Sequence, residues 1–328
     1  MCAGGAVLAS ARMMRALIAT ALAGAVLLTT HCGEITERTA DAPRPARALT
    51  LALDFVPNPV HAPIYMAGDA VKIRKPGTGP DSLKLVTSGA VELGVLDIHD
   101  LAIAREAGSD LVAVGALVGK PLAALIAQPG VARPRDLEGH TVGVSGLPSD
   151  PAFLRAIVEH DSGDYERVKQ VTIGFNAVSR LLTKRVDAVP AFWNAEGVAL
   201  QQRGLSAREF RVEDYGAPAY PEVVFVTARK TLEGERERIA GALDAIAGGL
   251  EAARERPDEA VTVIARAAET DDTALVRAQL DAVLPVFADG LRLDRAVLER
   301  WADFDAEIGL VKQRPDVAHA FDFSLRGP

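Results

Sequence analysis

The sequence predicts an α/β protein of two lobes, each with a mostly parallel sheet flanked by helices. Three observations lead to this expectation. Short apolar runs alternate with segments of helical periodicity, a pattern typical of parallel sheets that are covered on both faces. The alternation restarts near residue 140, and after residue 228 the pattern is helical with no further strand. We therefore expect the C-terminal helices to pack back on the first lobe, so that the chain crosses between the lobes twice.

The first lobe begins with apolar runs that end at Asp, Gly or Pro. These runs predict strands at residues 49–55, 71–74, 92–96 and 111–118. Residues 122–127 fit a strand or a helix by their length, and Gln-Pro-Gly at 128–130 stops them. Pro80 suits a first helical position, and residues 101–107 predict a second short helix.

The second set of elements follows Arg-Pro-Arg-Asp at 133–136, which we interpret as the crossing between the lobes. Strands are predicted at residues 140–145, 171–175, 188–192 and 223–227. Ser149 followed by Asp150 and Pro151 predicts the start of a helix that runs through His160. Helical patterns then cover residues 233–256, 257–268, 273–283 and 294–308. Lobe 1 is therefore predicted at residues 49–127 plus 228–328, and lobe 2 at residues 128–227.

The composition is that of a packed globular chain. With 328 residues, 49% of them apolar and 24% charged, the chain is long enough for two lobes, and its bulk is not of the disordered class. The net charge of −8 disfavours a nucleic-acid partner, because phosphate backbones require a basic surface. No thiol follows Cys32, which excludes disulfides, thiolate metal sites and a cysteine nucleophile beyond it.

Residues 1–31 are predicted to be an export signal. Arg12 and Arg15 precede an uncharged run at 16–28, which is too short to span a bilayer as a helix. The run ends in Leu-Thr-Thr-His-Cys-Gly, which resembles a bacterial lipoprotein signal with Cys32 as the lipidated residue; a plain secretory signal is the alternative. Residues 32–48 have no apolar period and are interpreted as a tether. We expect an exported protein, periplasmic or at the cell surface, with a lipid anchor in the membrane.

Polar and aromatic residues cluster where the predicted strands end, and ligands of open α/β sheets bind beyond those ends. The candidate ligand-binding residues of the first lobe are Asp54, Phe55, Asn58, His61, Tyr65, Asp97 and His99. Those of the second-lobe segments are Ser145, Ser149, Trp193, Asn194, Glu196, Tyr215 and Tyr220. Turn and capping chemistry accounts for some of them. Aromatic rings beside carboxylates and amides fit a flat small molecule with polar edges.

The segment LTLALDFVPNPVHAPIY at 49–65 resembles the start of the pyrimidine-precursor binding proteins of thiamine-salvage ABC importers. That branch of the periplasmic binding proteins carries Asp-aromatic-x-Pro-Asn-x-x-His-x-x-x-Tyr near its N-terminus, matched here from Asp54 to Tyr65. Trp-Asn-x-Glu-Gly at 193–197 and Asp-Tyr-Gly-x-Pro-x-Tyr at 214–220 resemble the same family. The stretch after Tyr65 is shorter than in the family, so we expect a shortened first helix.

The resemblance implies a type II periplasmic-binding-protein-like fold that closes on a small molecule and delivers it to the permease and ATPase subunits of an ABC importer. It also implies that Phe55 and Trp193 face the ring of the ligand, and that Asp54 and Glu196 accept hydrogen bonds from its exocyclic amino groups. A thiamine pyrimidine precursor is the expected ligand and the protein is expected to be a monomer. Riboflavin, a sulfonate, taurine and nitrate are alternatives, although the candidate segments hold almost no basic residues for an anion.

We expect no enzymatic activity, no metal and no cofactor. A related branch that makes the thiamine pyrimidine depends on a cysteine-rich iron-binding segment, which this chain lacks. Gly-Val-Ser-Gly-Leu at 143–147 departs from the Gly-x-Ser-x-Gly elbow, and the histidines lack the spacing of metal ligands. Asp54 and Glu196 suit a clamp as well as an acid–base pair. A periplasmic enzyme or sensor with the same fold is therefore the other alternative.

Overall fold

The computed structural model describes residues 48–77, 81–147 and 149–326, which contain two five-stranded sheets. The first sheet consists of β1 (Leu49–Ala52), β2 (Val71–Arg74), β3 (Leu93–Asp97), β4 (Leu111–Val118) and β10 (Val223–Ala228). The second consists of β5 (Ala123–Ala127), β6 (Thr141–Val144), β7 (Lys169–Thr172), β8 (Ala188–Phe192) and β9 (Arg208–Arg211). Each sheet is the centre of one lobe, so the predicted two-lobed α/β fold is confirmed.

In each sheet four strands run in one direction and one strand runs against them. The strand orders are β2-β1-β3-β10-β4 and β7-β6-β8-β5-β9. β10 is antiparallel to β3 and β4, and β5 is antiparallel to β8 and β9. The pairs of β1 with β2 and β3, and of β6 with β7 and β8, are parallel. The reversed strand of each sheet is the first that the chain enters after it crosses from the other sheet.

The crossings lie earlier in the chain than the lobe boundaries predicted from the sequence. Residues 123–127 belong to the second sheet, although they were assigned to lobe 1, and residues 223–227 belong to the first sheet, although they were assigned to lobe 2. The chain therefore crosses between Val118 and Ala123 and returns between Arg211 and Val223. Gln-Pro-Gly at 128–130 marks a turn within the second lobe. A turn signal in the sequence does not indicate which sheet the neighbouring strands join.

Strand β9 was not predicted. Its sequence, Arg-Glu-Phe-Arg, has no apolar run, and only Phe210 is buried. The strand lies at the edge of the second sheet, where one row of backbone groups and most side chains face solvent, so burial imposes little pattern on its sequence.

The helices surround the sheets. They are α1 (Ala62–Tyr65), α2 (Ser82–Thr87), α3 (Ile98–Glu106), α4 (Asp150–His160), α5 (Ala177–Leu182), α6 (Val198–Gln202), α7 (Arg229–Glu255), α8 (Pro257–Ala267), α9 (Thr273–Val283), α10 (Arg295–Glu307) and α11 (Val317–Ala320). Leu243 of α7, Ile264 of α8 and Leu280 of α9 join Leu51 and Val95 of the first sheet in one buried cluster. The helical C-terminal segment thus packs on the first lobe, as its position after the last strand predicts.

The short connection between β1 and β2 closes with less helix than such crossovers usually contain. It consists of a 3₁₀ turn at Pro59–His61, the four-residue helix α1 and a second 3₁₀ turn at Gly68–Ala70. β1 and β2 are nevertheless parallel, with Leu49 opposite Val71. The expected shortened first helix is therefore compatible with the parallel sheet, and it brings residues 54–61 to the end of β1.

The predicted leader at 1–31, Cys32 and the tether up to residue 47 lie outside the described residues. Across the described part of the chain, no helix combines the length and the apolar character needed to cross a membrane.

Candidate functional site

A cavity of about 680 Å³ lies between the two sheets, and we call it the cleft. The first lobe contributes residues that follow β1 and β3, and the second lobe contributes residues that follow β6, β7 and β8. The carboxyl ends of these strands thus face one space, as the strand-end rule predicts. Of the candidate residues, those that line the cleft are Asp54, Phe55, Asn58, His61, Asp97, Ser145, Ser149 and Glu196.

Asp54 and His61 form a hydrogen-bonded pair at the end of β1. Asn58 caps the 3₁₀ turn by accepting a hydrogen bond from the Val60 N–H at 2.9 Å. The Asn58 N–H in turn donates to Nδ1 of His61 at 3.3 Å. Nδ1 is therefore the acceptor, and Nε2 donates to Oδ1 of Asp54 at 2.8 Å. Since His61 is buried and held at both nitrogens, it fixes the half-buried Asp54 carboxylate at the edge of the cleft.

An aromatic pair closes part of the cleft. Phe55 of the first lobe and Phe175, which follows β7 in the second, have ring centroids 4.1 Å apart at an interplanar angle of 58°. Phe153 and Phe192 also line the cleft. Sequence analysis missed Phe175 as a site residue, because it placed this residue inside a predicted strand at 171–175. The strand ends at Thr172, so the rule used for the other strand ends would have found Phe175.

Glu196 reaches the cleft from a π-helical turn, Trp193–Gly197, that directly follows β8. Its Oε2 accepts a hydrogen bond from the Phe192 N–H at 3.2 Å. Burial raises the pKa of Glu196, which the backbone hydrogen bonds only partly offset. The π-helical turn thus places a carboxyl group at the cleft, and such turns are frequent at functional sites.

Trp193 does not line the cleft, contrary to what the family resemblance implies. Its indole N–H donates to the carbonyl of Pro121 at 3.2 Å, and the guanidinium of Arg211 lies 4.3 Å from its ring centroid. Trp193 therefore packs beside the crossing segment and the edge strand β9. Phe55, Phe153, Phe175 and Phe192 are the aromatic rings that line the cleft instead.

Five other candidates also lie outside the cleft lining. Tyr65 packs against the first-lobe core, and burial raises its pKa to about 12. Asn194 is buried in the π-helical turn, and Tyr215 packs edge-on against His160 and Phe210. His99 and Tyr220 are buried behind the cleft with their rings in edge contact, 4.7 Å between centroids. The strand-end motifs therefore identified the region around the cleft, whereas the packing of each side chain decides whether it points into the cleft.

The loop after β6 holds a carboxylate of its own. Asp150 Oδ2 accepts hydrogen bonds from the Ser145 N–H at 2.6 Å, the Ser145 hydroxyl at 2.8 Å and the Gly146 N–H at 3.2 Å. The Leu147 N–H donates to the Ser145 hydroxyl oxygen. The amide N–H groups of Ser145, Gly146 and Leu147 therefore already have acceptors. The loop is thus a poor receptor for a second anion.

Asp100 connects the lobes at the base of the cleft. Its Oδ1 accepts a hydrogen bond from the Ser149 N–H of the second lobe at 3.3 Å. Burial, followed by the nearby charge of Asp97, raises the pKa of Asp100 to about 8. With Asp54, Asp97, Asp150 and Glu196, five carboxyl side chains line the cleft, whereas the basic groups among its lining residues are the exposed Lys84 and the imidazole of His61. The cleft is therefore acidic as well as aromatic.

Comparison with known proteins agrees with this arrangement. The NMT1/THI5 like family profile matches residues 58–260. A formylaminopyrimidine-binding protein from Halalkalibacterium halodurans is 33% identical over 224 residues, which are 65% of this chain and 68% of that protein. A 4-amino-5-hydroxymethyl-2-methylpyrimidine phosphate synthase from Legionella pneumophila is 26% identical over 259 residues, 73% of this chain and 80% of the relative.

The fold is shared more widely than the sequence. The alkanesulfonate-binding protein from Xanthomonas axonopodis pv. citri bound to MOPS superimposes with a TM-score of 0.69 at 18% identity, covering 86% of this chain and 99% of that chain. At such low identity the match establishes the periplasmic-binding-protein fold and nothing about the ligand. The extent of the family match and the identity to the first relative, together with the motif residues that meet in the cleft, show that the chain belongs to the NMT1/THI5-like family.

Proposed function

We propose that this protein is the extracytoplasmic solute-binding component of an ABC importer, and that it binds a small, flat, amino-bearing heterocycle such as a thiamine pyrimidine precursor. The observation that carries the proposal is the cleft itself, in which aromatic rings from both lobes are combined with five carboxyl groups. An aromatic surface binds the faces of a planar ring, and carboxylates accept hydrogen bonds from amino groups at its edge.

The size of the cleft suits one small heterocycle. Its volume of about 680 Å³ lies within the range of roughly 300–1,000 Å³ that small-molecule sites occupy. Phe55 and Phe175 are the rings most directly placed to contact such a ligand, because they approach each other from opposite lobes. Asp54 and Glu196, also on opposite lobes, are the proposed acceptors for its amino groups.

The charge of the cleft argues against the anionic alternatives. A sulfonate or nitrate requires cationic side chains or free backbone amides, and the amides of Ser145 and Gly146 are taken by Asp150. Burying an anion among carboxyl groups, which offer no positive charge, would leave its desolvation cost without a compensating ion pair. The relative from Halalkalibacterium halodurans, named for binding a formylaminopyrimidine, supports the amino-bearing class.

Closure of the lobes supplies the mechanism. Phe55 with Phe175 and Asp100 with the Ser149 N–H already join the lobes across the cleft. Each lobe carries some of the polar groups that contact the ligand. The hydrogen bonds of the ligand are therefore all formed only when the lobes are closed, so ligand binding selects the closed arrangement. Micromolar binding, about −8 kcal/mol, is sufficient for this selection. The ligand then passes to the permease and ATPase subunits, while Cys32 in the exported chain serves as the lipid anchor.

Titration calorimetry of the full chain against a ligand panel tests the proposal. The panel contains 4-aminopyrimidines with a 5-hydroxymethyl or 5-aminomethyl group, riboflavin, an alkylsulfonate, taurine and nitrate. We expect saturable one-to-one binding of an aminopyrimidine and no heat from the anions. A panel in which only the sulfonate, taurine or nitrate binds would contradict the ligand class, and binding of none would contradict the solute-binding role for these compounds.

Two variants locate the bound ligand. Glu196→Ala removes a proposed acceptor and should weaken aminopyrimidine binding by about 1–3 kcal/mol, or roughly 5- to 150-fold. Glu159→Ala removes a carboxylate of the same charge from the exposed surface of α4 and should leave the affinity unchanged. Equal affinities in the two variants would place the ligand elsewhere.

A periplasmic enzyme is the second candidate, favoured by the relative named as a synthase and by the Asp54 carboxylate, which His61 holds at the edge of the cleft where a general base would act. The absence of any thiol after Cys32 disfavours the iron-dependent chemistry of the related branch. Incubation of the protein with the bound aminopyrimidine, followed by mass spectrometry of the small molecule, separates the two: recovery of unchanged ligand is expected of a binding protein.

A further inference from the structure

Behind the cleft, the first lobe contains a cluster of buried ionisable side chains, of which only Asp97 also lines the cleft. His99, Glu222 and Asp305 have no solvent exposure, and Asp97 is 9% exposed. The four come from the end of β3, the start of α3, the segment before β10, and α10. Buried ionisable groups are costly unless they are paired or bind an ion, so each polar atom in the cluster requires a partner.

His99 has one nitrogen bonded and one nitrogen without a partner. Its Nδ1 lies 2.7 Å from Oδ1 of Asp305, and the indole N–H of Trp301 lies 3.3 Å from the same nitrogen. Nε2 is buried and has no hydrogen-bond partner among the described residues. A carboxylate on one ring nitrogen with the other nitrogen available is the arrangement by which proteins orient a metal-binding histidine.

The two carboxyl groups that face His99 are also only partly used. Oε2 of Glu222 accepts hydrogen bonds from the Leu122 N–H at 2.5 Å and the Ala123 N–H at 3.1 Å, whereas Oε1 is buried without a partner in the described structure. Oδ1 of Asp97 accepts from the His99 N–H at 2.7 Å and caps α3. Each carboxyl group is thus fixed through one oxygen, and the two carboxyl groups lie close enough to hydrogen-bond to each other when one of them is protonated.

We propose that Asp97, His99 and Glu222 form a binding site for one divalent transition-metal ion, Zn²⁺ or Mn²⁺. One ligand atom from each of the three residues lies within 4.8 Å of the other two, so small rotations bring all three to metal–ligand distances of about 2 Å. Two carboxylates balance the charge of a divalent ion, and Asp305 orients the imidazole. An imidazole nitrogen with two carboxylate oxygens suits Zn²⁺ and Mn²⁺, whereas Mg²⁺ and Ca²⁺ prefer sites built entirely from oxygen.

The site would join the two places where the chain changes sheets. Glu222 precedes β10 on the return crossing, and its other oxygen holds the amides of Leu122 and Ala123 on the outward crossing. Asp97 lies at the end of β3 and also lines the cleft. A bound ion would therefore fix both crossings to the base of the cleft, whatever small molecule the cleft holds.

The same cluster without a metal would have to share protons between its carboxyl groups, and metal titration distinguishes the two states. The full chain carrying Cys2→Ser and Cys32→Ser, which removes every thiol, is treated with EDTA and titrated with Zn²⁺ or Mn²⁺ in a calorimeter. We expect one ion per chain, a dissociation constant of micromolar or below, and a rise of several degrees in the midpoint of thermal unfolding. Mg²⁺ at the same concentration should bind at least tenfold more weakly.

Variants assign the ion to the cluster. Glu222→Gln and His99→Gln should each weaken metal binding at least tenfold, whereas His319→Gln, which removes an exposed histidine paired with Asp316, should leave the affinity unchanged. Should either cluster variant fail to fold, X-ray absorption spectroscopy of the zinc-loaded parent protein reports its ligands directly, and one imidazole with oxygen ligands is expected. Binding of no ion, loss of binding in the His319 variant alone, or a ligand shell without imidazole would overturn the proposal.

Discussion

The substitution Gly249→Ala tests the close packing of α7 against α1, the short helix that follows the cleft residue His61. Gly249 lies on the buried face of α7, against the short helix α1 that follows His61. A Cβ added at Gly249 would overlap the carbonyl oxygen of Pro63 and lie 3.0 Å from the Ala67 nitrogen, whereas ordinary contacts begin near 3.4 Å. These neighbours are backbone atoms of α1 and of the residues just after it, so relief requires that one of the two segments shift by about 1 Å.

The neighbouring Gly248 provides a matched control. It is exposed in the same helical turn, and a Cβ there would have no heavy atom within 4 Å. Gly248→Ala should raise the free energy of unfolding by about 0.5–1 kcal/mol, because alanine costs less backbone entropy in a helix. Gly249→Ala has the same helical benefit but overpacks the contact, at a cost of about 1–3 kcal/mol. The free energies of unfolding of the two variants should therefore differ by about 1–3 kcal/mol, with Gly248→Ala above the parent protein and Gly249→Ala below it.

Thermal unfolding followed by circular dichroism at 222 nm measures this difference. At about 2–4 °C per kcal/mol for a domain of this size, the midpoints of the two variants should differ by several degrees. Gly249→Ala should also weaken ligand binding, since a shifted α1 displaces His61 and with it Asp54. Equal midpoints, or a Gly249→Ala protein as stable as the Gly248→Ala protein, would refute the close approach of α7 and α1.

Two further predictions concern the cleft. Phe175→Ala should weaken aminopyrimidine binding by about 1–3 kcal/mol, because it removes one ring of the interlobe pair. Trp193→Phe should leave the affinity within about twofold in the same calorimetric titration. A larger loss of affinity in Trp193→Phe than in Phe175→Ala would show that Trp193, not Phe175, contacts the ligand. Burial raises the pKa of Glu196 above its ordinary value of 4.5, because the folded protein favours the protonated carboxyl group. The stability that this preference contributes is fully present below pH 4.5, and it is lost as the pH rises through the folded-state pKa. In urea unfolding without ligand, Glu196→Gln should therefore gain stability relative to the parent protein as the pH rises from 4 to 7. A difference in unfolding free energy between the two proteins that stays constant across that range would contradict the burial of this carboxyl group.

Much of the architecture could be predicted because periodicity and burial are local properties of the chain. The strands that lie inside their sheet, such as β3 and β10, are buried along most of their length and appear in the sequence as apolar runs. The edge strand β9 could not be predicted, since solvent exposure leaves Arg and Glu free to occupy it. The lobe boundaries were misplaced for a different reason: the run at 123–127 reads as a strand in either lobe, and only its pairing with β8 and β9 assigns it.

The candidate site divides in the same way. Residues at or just beyond the end of a strand, among them Asp54, Asp97 and Glu196, were expected at the cleft from the strand-end rule together with the motif resemblance, and all three line it. The rule says nothing about which way a side chain points beyond the strand. Trp193 and Glu196 lie in the same π-helical turn, yet the first packs beside Pro121 and only the second lines the cleft.

By itself, the sequence determined the class of fold, the order of the strands that form apolar runs and the return of the helical tail to the first lobe, and it predicted the strand ends at which a ligand would bind. Only the tertiary structure decided where the chain crosses between the sheets, that Phe175 rather than Trp193 meets Phe55, that Asp150 occupies the amides after β6, and that Asp97, His99 and Glu222 converge behind the cleft. The physical reason is that the spacing of apolar residues along a segment depends on which of its side chains face the core and which face water. Pairing between strands, and contacts between residues more than a hundred positions apart, depend on the packing of the whole chain.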